Sequence, residues 1–167
     1  WLNSLVQESF LNIHPTQVIH NGIDLNTFKP TSAEGVKEKY SLSGKFVLLG
    51  VASIWNEKKG LHDYFKLSNH LEEDEIIIII GLTQNHIKSL PNNIIGIART
   101  QNVSELVEFY SVANVVLSLS VEETFGMTTV EGYACGTPGI VYNCTASPEL
   151  ITDQTGLIVE QGNIDKL

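Results

Sequence analysis

Glu123 and Glu131, with Phe125-Gly126 between them, are the residues of this chain whose types and spacing invite chemistry. They are separated by seven residues within Ser118–Pro138, SLSVEETFGMTTVEGYACGTP. An apolar run ends near Leu119, a polar loop carries Glu122, Glu123 and Thr124, and Phe125-Gly126 leads into a helix. Gly126 lets a ligand approach the backbone closely. The unpaired N–H groups at a helix start suit phosphate or sugar oxygens, and the helix dipole favours negative charge there. Glu131 stands about five residues further on, roughly 7.5 Å along the helix axis at ~1.5 Å per residue. That offset matches the scale from diphosphate to ribose in a sugar nucleotide. A carboxylate accepts two hydrogen bonds from a ribose diol, which a cation cannot do. Glu123, in the loop, is placed for the other end of such a ligand, the sugar.

Positioning such groups requires a scaffold, and the pattern supplies one. Phe46 to Ala52 (FVLLGVA) and Glu75 to Gly81 (EIIIIIG) read as strands buried on both faces. Shorter strands follow at Ile94 to Ala98, Asn114 to Leu119, Gly139 to Tyr142 and Gly156 to Val159. Between them, Gly60 to Leu71 spaces Leu61, Tyr64, Phe65, Leu67, Ser68 and Leu71 at helical intervals. Val103 to Val112 places Leu106, Phe109 and Tyr110 on one side. Met127 to Cys135 reads as a helix closed by Gly136, with Pro138 just beyond. Buried strands alternating with helices predict an α/β fold, a Rossmann-like, doubly wound parallel sheet. Right-handed crossovers then gather the C-terminal ends of the strands on one edge, where ligands bind near the switch point. Functional residues are therefore expected after Ala52, Gly81, Ala98, Leu119 and Tyr142. Ahead of the sheet, Gln17 to Pro30 reads as a short strand, a turn at Asn21-Gly22 and an irregular stretch. Glu34 to Tyr40 reads as a short helix. Residues 1–16 are expected to be the tail of an upstream helix and a linker. Residues 17–167 are expected to form the domain, truncated at its C-terminal end.

Composition narrows the classes. With 43% hydrophobic and 17% charged residues the chain is ordinary globular material. The longest apolar run, Ile76 to Ile80, is strand-sized, and the residues from Trp1 onward show no basic n-region of a signal peptide. A net charge of −9 argues against nucleic acid as a partner, which calls for a basic stripe. It does not oppose a small anion, whose site is set by local groups. Cys135 and Cys144 form no CxxC pair and no His cluster adjoins them. They read as buried free thiols rather than zinc ligands, and a cytoplasmic address is the default. His14, His62, His70 and His86 read as surface, His20 as a capping or packing residue, and Tyr64, Phe65, Phe109 and Tyr110 as core.

Taken together, these blocks resemble the retaining GT4-type glycosyltransferases of the GT-B fold, and specifically their C-terminal, donor-binding half. Glu123 and Glu131 with Phe125-Gly126 and Ala134-Cys135-Gly136-Thr137-Pro138 look like the family signature. Val18 to Asp24 (VIHNGID) with Phe28 and Pro30 resembles the entry to that domain. Asn56 to Leu61 (NEKKGL) resembles the phosphate-binding loop, and Ser104 to Val115 the helix and strand ahead of the glutamates. The resemblance implies transfer of a glycosyl group from a nucleoside-diphosphate sugar to a saccharide or lipid-linked acceptor. Glu131 is then expected on the ribose hydroxyls, and Glu123 at the transferred sugar. Lys59 is expected on the leaving diphosphate, as electrostatic stabilisation of developing charge. The amides around Thr124, Phe125, Gly126 and Met127 are expected on sugar hydroxyls or the distal phosphate. The loop through Ala98, Arg99 and Thr100 is expected beside the base. No metal and no cofactor are expected. An N-terminal domain is expected to bring the acceptor, and membrane association through that half, at the inner face, goes with lipid-linked acceptors.

The sequence departs from the family at two places. An Arg is common five or six residues before the loop lysine, where this chain has Ile54 and Ser53. A Pro is usual where Leu119 stands. The first departure keeps a rival in view, a non-catalytic or degenerate sugar-nucleotide-binding module, with Arg99 as a substitute cation. A solvated turn at Lys58-Lys59 and a surface acid at Glu123 are the plain structural alternatives. An unrelated doubly wound nucleotide-binding domain lacks support, because neither G-x-G-x-x-G nor a P-loop follows the first sheet strand.

Overall fold

The computed structural model describes residues 1–167. A helix α1 (Leu2–Gln7) and a 3-10 turn at Phe10–Ile13 precede an extended stretch. The domain then runs α2 (Glu34–Tyr40), β1 (Phe46–Val51), α3 (Leu61–Leu67), β2 (Glu75–Ile80), α4 (Gln84–Ile87), β3 (Ile94–Ile97), α5 (Val103–Val112), β4 (Val115–Ser118), α6 (Met127–Ala134), β5 (Gly139–Tyr142) and β6 (Gly156–Val159). The six strands form one sheet in the order β3-β2-β1-β4-β5-β6. Every pairing is parallel, with Val47 opposite Ile76 and Leu49 opposite Val116. The fold is the doubly wound α/β sheet that the strand pattern predicts.

Strand alternation divides the core into two. Leu48, Ile77, Ile79, Leu117 and Tyr142 point to one face with Trp55 and Tyr64. Val47, Leu49, Ile78, Ile80 and Val116 point to the other, with Val107, Phe109 and Tyr110 from α5. Both faces are covered, which is why β1 and β2 are continuously apolar. Trp55 belongs to this core, its indole N–H donating to the Ile80 carbonyl at 2.8 Å. Gly50 is small because the Tyr64 ring lies on it, where a Cβ would meet a ring carbon at 2.6 Å.

Four readings of the sequence need correction. Gln17 to His20 forms no strand, and residues 15–23 make no backbone–backbone hydrogen bonds. The segment never reaches a sheet edge that could pair it. The α3 helix ends at Leu67 and tightens into a 3-10 turn over Ser68–His70. Cys144 is half-buried rather than buried, at the rim beside Gln161. His86 is half-buried too, with its Nδ1 shielded from solvent and unpaired. No helix is long and apolar enough to cross a membrane.

Candidate functional site

Strand order reverses between β1 and β4, so the loops after these two strands flank the switch point. The loop after β1 carries Lys59. Asn56 caps a 3-10 turn over Glu57–Lys59, its Oδ1 accepting from the Lys59 amide. Gly60 ends that turn in the left-handed region at φ +69°. The loop after β4 carries Glu123. The two loops lock together: the Val121 amide donates to the Lys58 carbonyl at 2.9 Å. Gly60 lies so close to the Leu119 carbonyl that a Cβ would come within 2.0 Å of its oxygen. Leu119, the position of the family proline, is fully buried and forms this platform.

The locked loops bring Lys59 and Glu123 into an ion pair, Nζ to Oε1. Their side chains are 34% and 14% exposed. Neither the solvated turn nor the surface acid describes them, since each is largely covered and each is the other's partner. The neighbouring Lys58–Glu122 pair, at 2.6 Å, does lie on the surface and contributes little. A third loop supports Glu123 from the far side. Its amide donates to Thr145 Oγ1 at 2.8 Å, and its carbonyl accepts from the Ala146 amide. Thr145 holds φ +49°, an unfavourable region for a β-branched residue, so this support carries backbone strain.

Beyond Glu123 the chain turns at Gly126, φ +96°, and enters α6. The amides of Thr124, Phe125, Gly126, Met127 and Thr128 donate to no protein acceptor. Thr124 is exposed, and Phe125 and Met127 are half-buried. The Phe125 ring faces His20 at 5.8 Å. A cavity of about 780 Å³ opens here, lined by Thr124, Phe125, His20, Glu149 and residues of the first helix. The α6 helix lies close on the sheet because Gly132 faces Val116, where a Cβ would approach to 2.6 Å.

Glu131, on α6, is half-buried between α5 and the sheet edge. Burial raises its carboxyl above the ordinary value, and a hydrogen bond from Tyr110 works against that rise. The Tyr110 hydroxyl donates to Glu131 Oε2 at 2.6 Å. This contact and the Thr145 support were not read from the sequence. A tyrosine at an apolar helix position reads as core, and nothing local marks where its hydroxyl goes.

The remaining expected residues lie along the same edge. Arg99 follows β3, is exposed and pairs with no carboxylate. The strand it follows lies two places from β1, roughly 10 Å at ~4.8 Å per strand. Thr100 is half-buried beside it. Ser53 and Ile54 are exposed in the loop after β1, Ile54 at 71%. No three His, Cys, Asp or Glu side chains come together as a metal site.

This architecture is the Rossmann-like C-terminal half of a GT-B fold. The chain belongs to the glycosyl transferases group 1 family, whose model matches residues 45–167. It is 25% identical to a D-inositol 3-phosphate glycosyltransferase of Mycobacterium sp. (strain KMS), over 91% of this chain and 38% of that protein. Among solved structures it is similar to the sucrose-phosphate synthase of Thermosynechococcus elongatus. The TM-score is 0.82 at 18% identity, over 98% of this chain and 44% of the other. Anabaena HepE, solved in complex with UDP-glucose, gives 0.78 at 18% identity, over 90% and 45%. The chain thus spans less than half the length of these relatives.

Proposed function

We propose that this chain supplies the donor site of a glycosyltransferase that moves a glycosyl group from a nucleoside-diphosphate sugar to a saccharide or lipid-linked acceptor. The observation that carries the reading is the convergence, at the switch point, of Lys59, Glu123 and an unpaired run of amides at the start of α6. Such a constellation offers a cation and N–H donors for a diphosphate, with a carboxylate beside them for sugar hydroxyls. Lys59 neutralises the leaving diphosphate as its charge develops, Glu123 contacts the transferred sugar, and Glu131 receives the ribose diol. Arg99 and Thr100 pass beside the base. In the free protein Glu123 occupies Lys59, so an arriving phosphate exchanges one anion for another at that ammonium. The positive groups come from the protein itself, so donor affinity in excess chelator should equal that with magnesium. Transfer proceeds with retention, and residues 1–16 link this domain to an acceptor-binding one, as the resemblance implies. UDP-glucose bound to HepE makes uridine nucleotides the first donors to try.

A second reading, a sugar-nucleotide-binding module without turnover, draws on one feature. Ser53 and Ile54 supply no cation where the family pattern has one, and Arg99 follows a strand two places from β1 in the sheet. Thermal shift of the full-length protein with a panel of nucleotide sugars, followed by donor-hydrolysis assay, separates the two. A ligand that binds only the folded state raises the melting temperature. A shift with hydrolysis supports the enzyme, a shift without hydrolysis supports the binding module, and no shift with any donor defeats both.

A further inference from the structure

Tyr110 is fully buried on α5, in the core beneath the sheet edge. Its ring is fixed by packing, including an edge contact with Phe28 at 6.3 Å between centroids. Its backbone is fixed as well, because the buried Thr137 hydroxyl donates to the Tyr110 carbonyl at 2.6 Å. That bond ties α5 to the turn that follows α6. From this fixed position the phenol reaches one acceptor, Glu131 Oε2 at 2.6 Å. The other carboxylate oxygen of Glu131 has no partner in the protein. A phenylalanine would fill the same core volume, so the hydroxyl serves only what it touches. Burial and the Glu131 charge both push the Tyr110 phenol well above its ordinary range, so it stays a donor.

We propose that Tyr110 is a positioning residue for the nucleotide, its hydroxyl holding the Glu131 carboxylate in the orientation that receives a ribose diol. The inference rests on the assignment of Glu131 to the ribose. A free glutamate side chain samples many rotamers, and ordering it at the moment of binding weakens the interaction. Tyr110 orders one oxygen beforehand and leaves the second, with the spare lone pair of the first, for the two ribose hydroxyls.

The test compares UDP, GDP and ADP with their 2′,3′-dideoxy counterparts by calorimetric titration on the full-length protein. Wild type should prefer the ribonucleotide of whichever pair binds. Glu131→Ala should abolish that preference. Tyr110→Phe should reduce it roughly tenfold, and the double variant should lose no more than Glu131→Ala alone. Tyr110→Phe with the wild-type preference intact, in a background where Glu131→Ala loses it, overturns the positioning role and leaves the hydroxyl a structural tie. Preference intact in Glu131→Ala, or no binding by any of the three, overturns the ribose assignment and the proposal with it. Should Tyr110→Phe fail to fold, 3-fluorotyrosine placed at 110 gives a fluorine resonance beside the hydroxyl. It should move on binding the ribonucleotide and not the dideoxy form, and equal movement with both overturns the proposal.

Discussion

At Glu131, stability and the proposed function pull in opposite directions. Its carboxyl is raised by burial above the ordinary value of 4.5. The folded state therefore holds the proton more tightly than the unfolded chain does. The stabilising contribution is full below about pH 4.5 and is lost as pH climbs through the raised folded value. At pH 7, well above the ordinary value, burying this carboxyl is a net cost, the one expected of the ribose contact proposed for it. Glu131→Gln keeps the shape, keeps an acceptor for Tyr110 and removes the charge. We expect its thermal midpoint at pH 7 to equal or exceed wild type. Nucleoside diphosphate affinity should fall tenfold or more, the scale of hydrogen bonds to a charged group. Calorimetry of both quantities checks this, and Glu123→Gln should weaken the free diphosphate less. A Glu131→Gln protein that binds like wild type removes the ribose assignment. The two glutamates were legible in the sequence because their spacing and the glycine between them form a pattern. Tyr110 was not, since its meaning lies in a contact across 21 positions. Thr145 was not either, since nothing in Asn143-Cys144-Thr145-Ala146 announces a left-handed threonine.

At the scale of elements, the sheet was readable because a strand covered on both faces must be apolar along its buried length, as Phe46–Val51, Ile76–Ile80 and Val115–Leu117 are. What failed was the extended segment at Gln17 to His20, where local composition suits a strand but no edge is available. The site depends on the loops after β1 and β4 docking, and Gly60 is where they meet. An alanine there must hold a left-handed conformation, at roughly 1–2 kcal/mol, and also push the Leu119 carbonyl away. We expect Gly60→Ala to cost at least about 2 kcal/mol, roughly 4–8 °C in midpoint for a domain of this size. It should also lower diphosphate affinity about tenfold, because undocking the two loops moves Lys59 away from the α6 amides at the switch point. Gly44→Ala is the control. Its φ is +75° but a Cβ there meets nothing within 4 Å. It should show the smaller conformational cost and unchanged binding. Equal effects of the two substitutions on binding would mean that loop docking does not position Lys59.

For the molecule as a whole, the open question is how much of the reaction residues 1–167 can perform. The edge that carries Lys59, Glu123 and the α6 amides faces outward. The N-terminal segment carries exposed apolar residues, Phe10 at 85%, Ile13 at 79% and Ile19 at 83%. Of these, Ile19 lines the cavity beside Thr124 and Phe125. In the proposed arrangement a second domain closes over this edge. Without that closure water stays in the site. A charge contact at 4 Å is then worth only about 1 kcal/mol, against several in a water-excluded cleft. Lys59 is the cation assigned to the phosphate, since Lys58 pairs with Glu122 on the surface, and Lys59 must be won from Glu123 before it can serve. The isolated chain should therefore bind a nucleoside diphosphate no more tightly than a Kd of roughly 100 μM. It should transfer no sugar from any donor to any acceptor, because in the proposed arrangement the acceptor site and the wall that excludes water belong to the second domain. Titration calorimetry with UDP and GDP, alongside a radiolabelled transfer assay, measures both quantities. Turnover by residues 1–167 alone would defeat the two-domain reading, and tight binding without turnover would place the whole donor site on this side of the cleft.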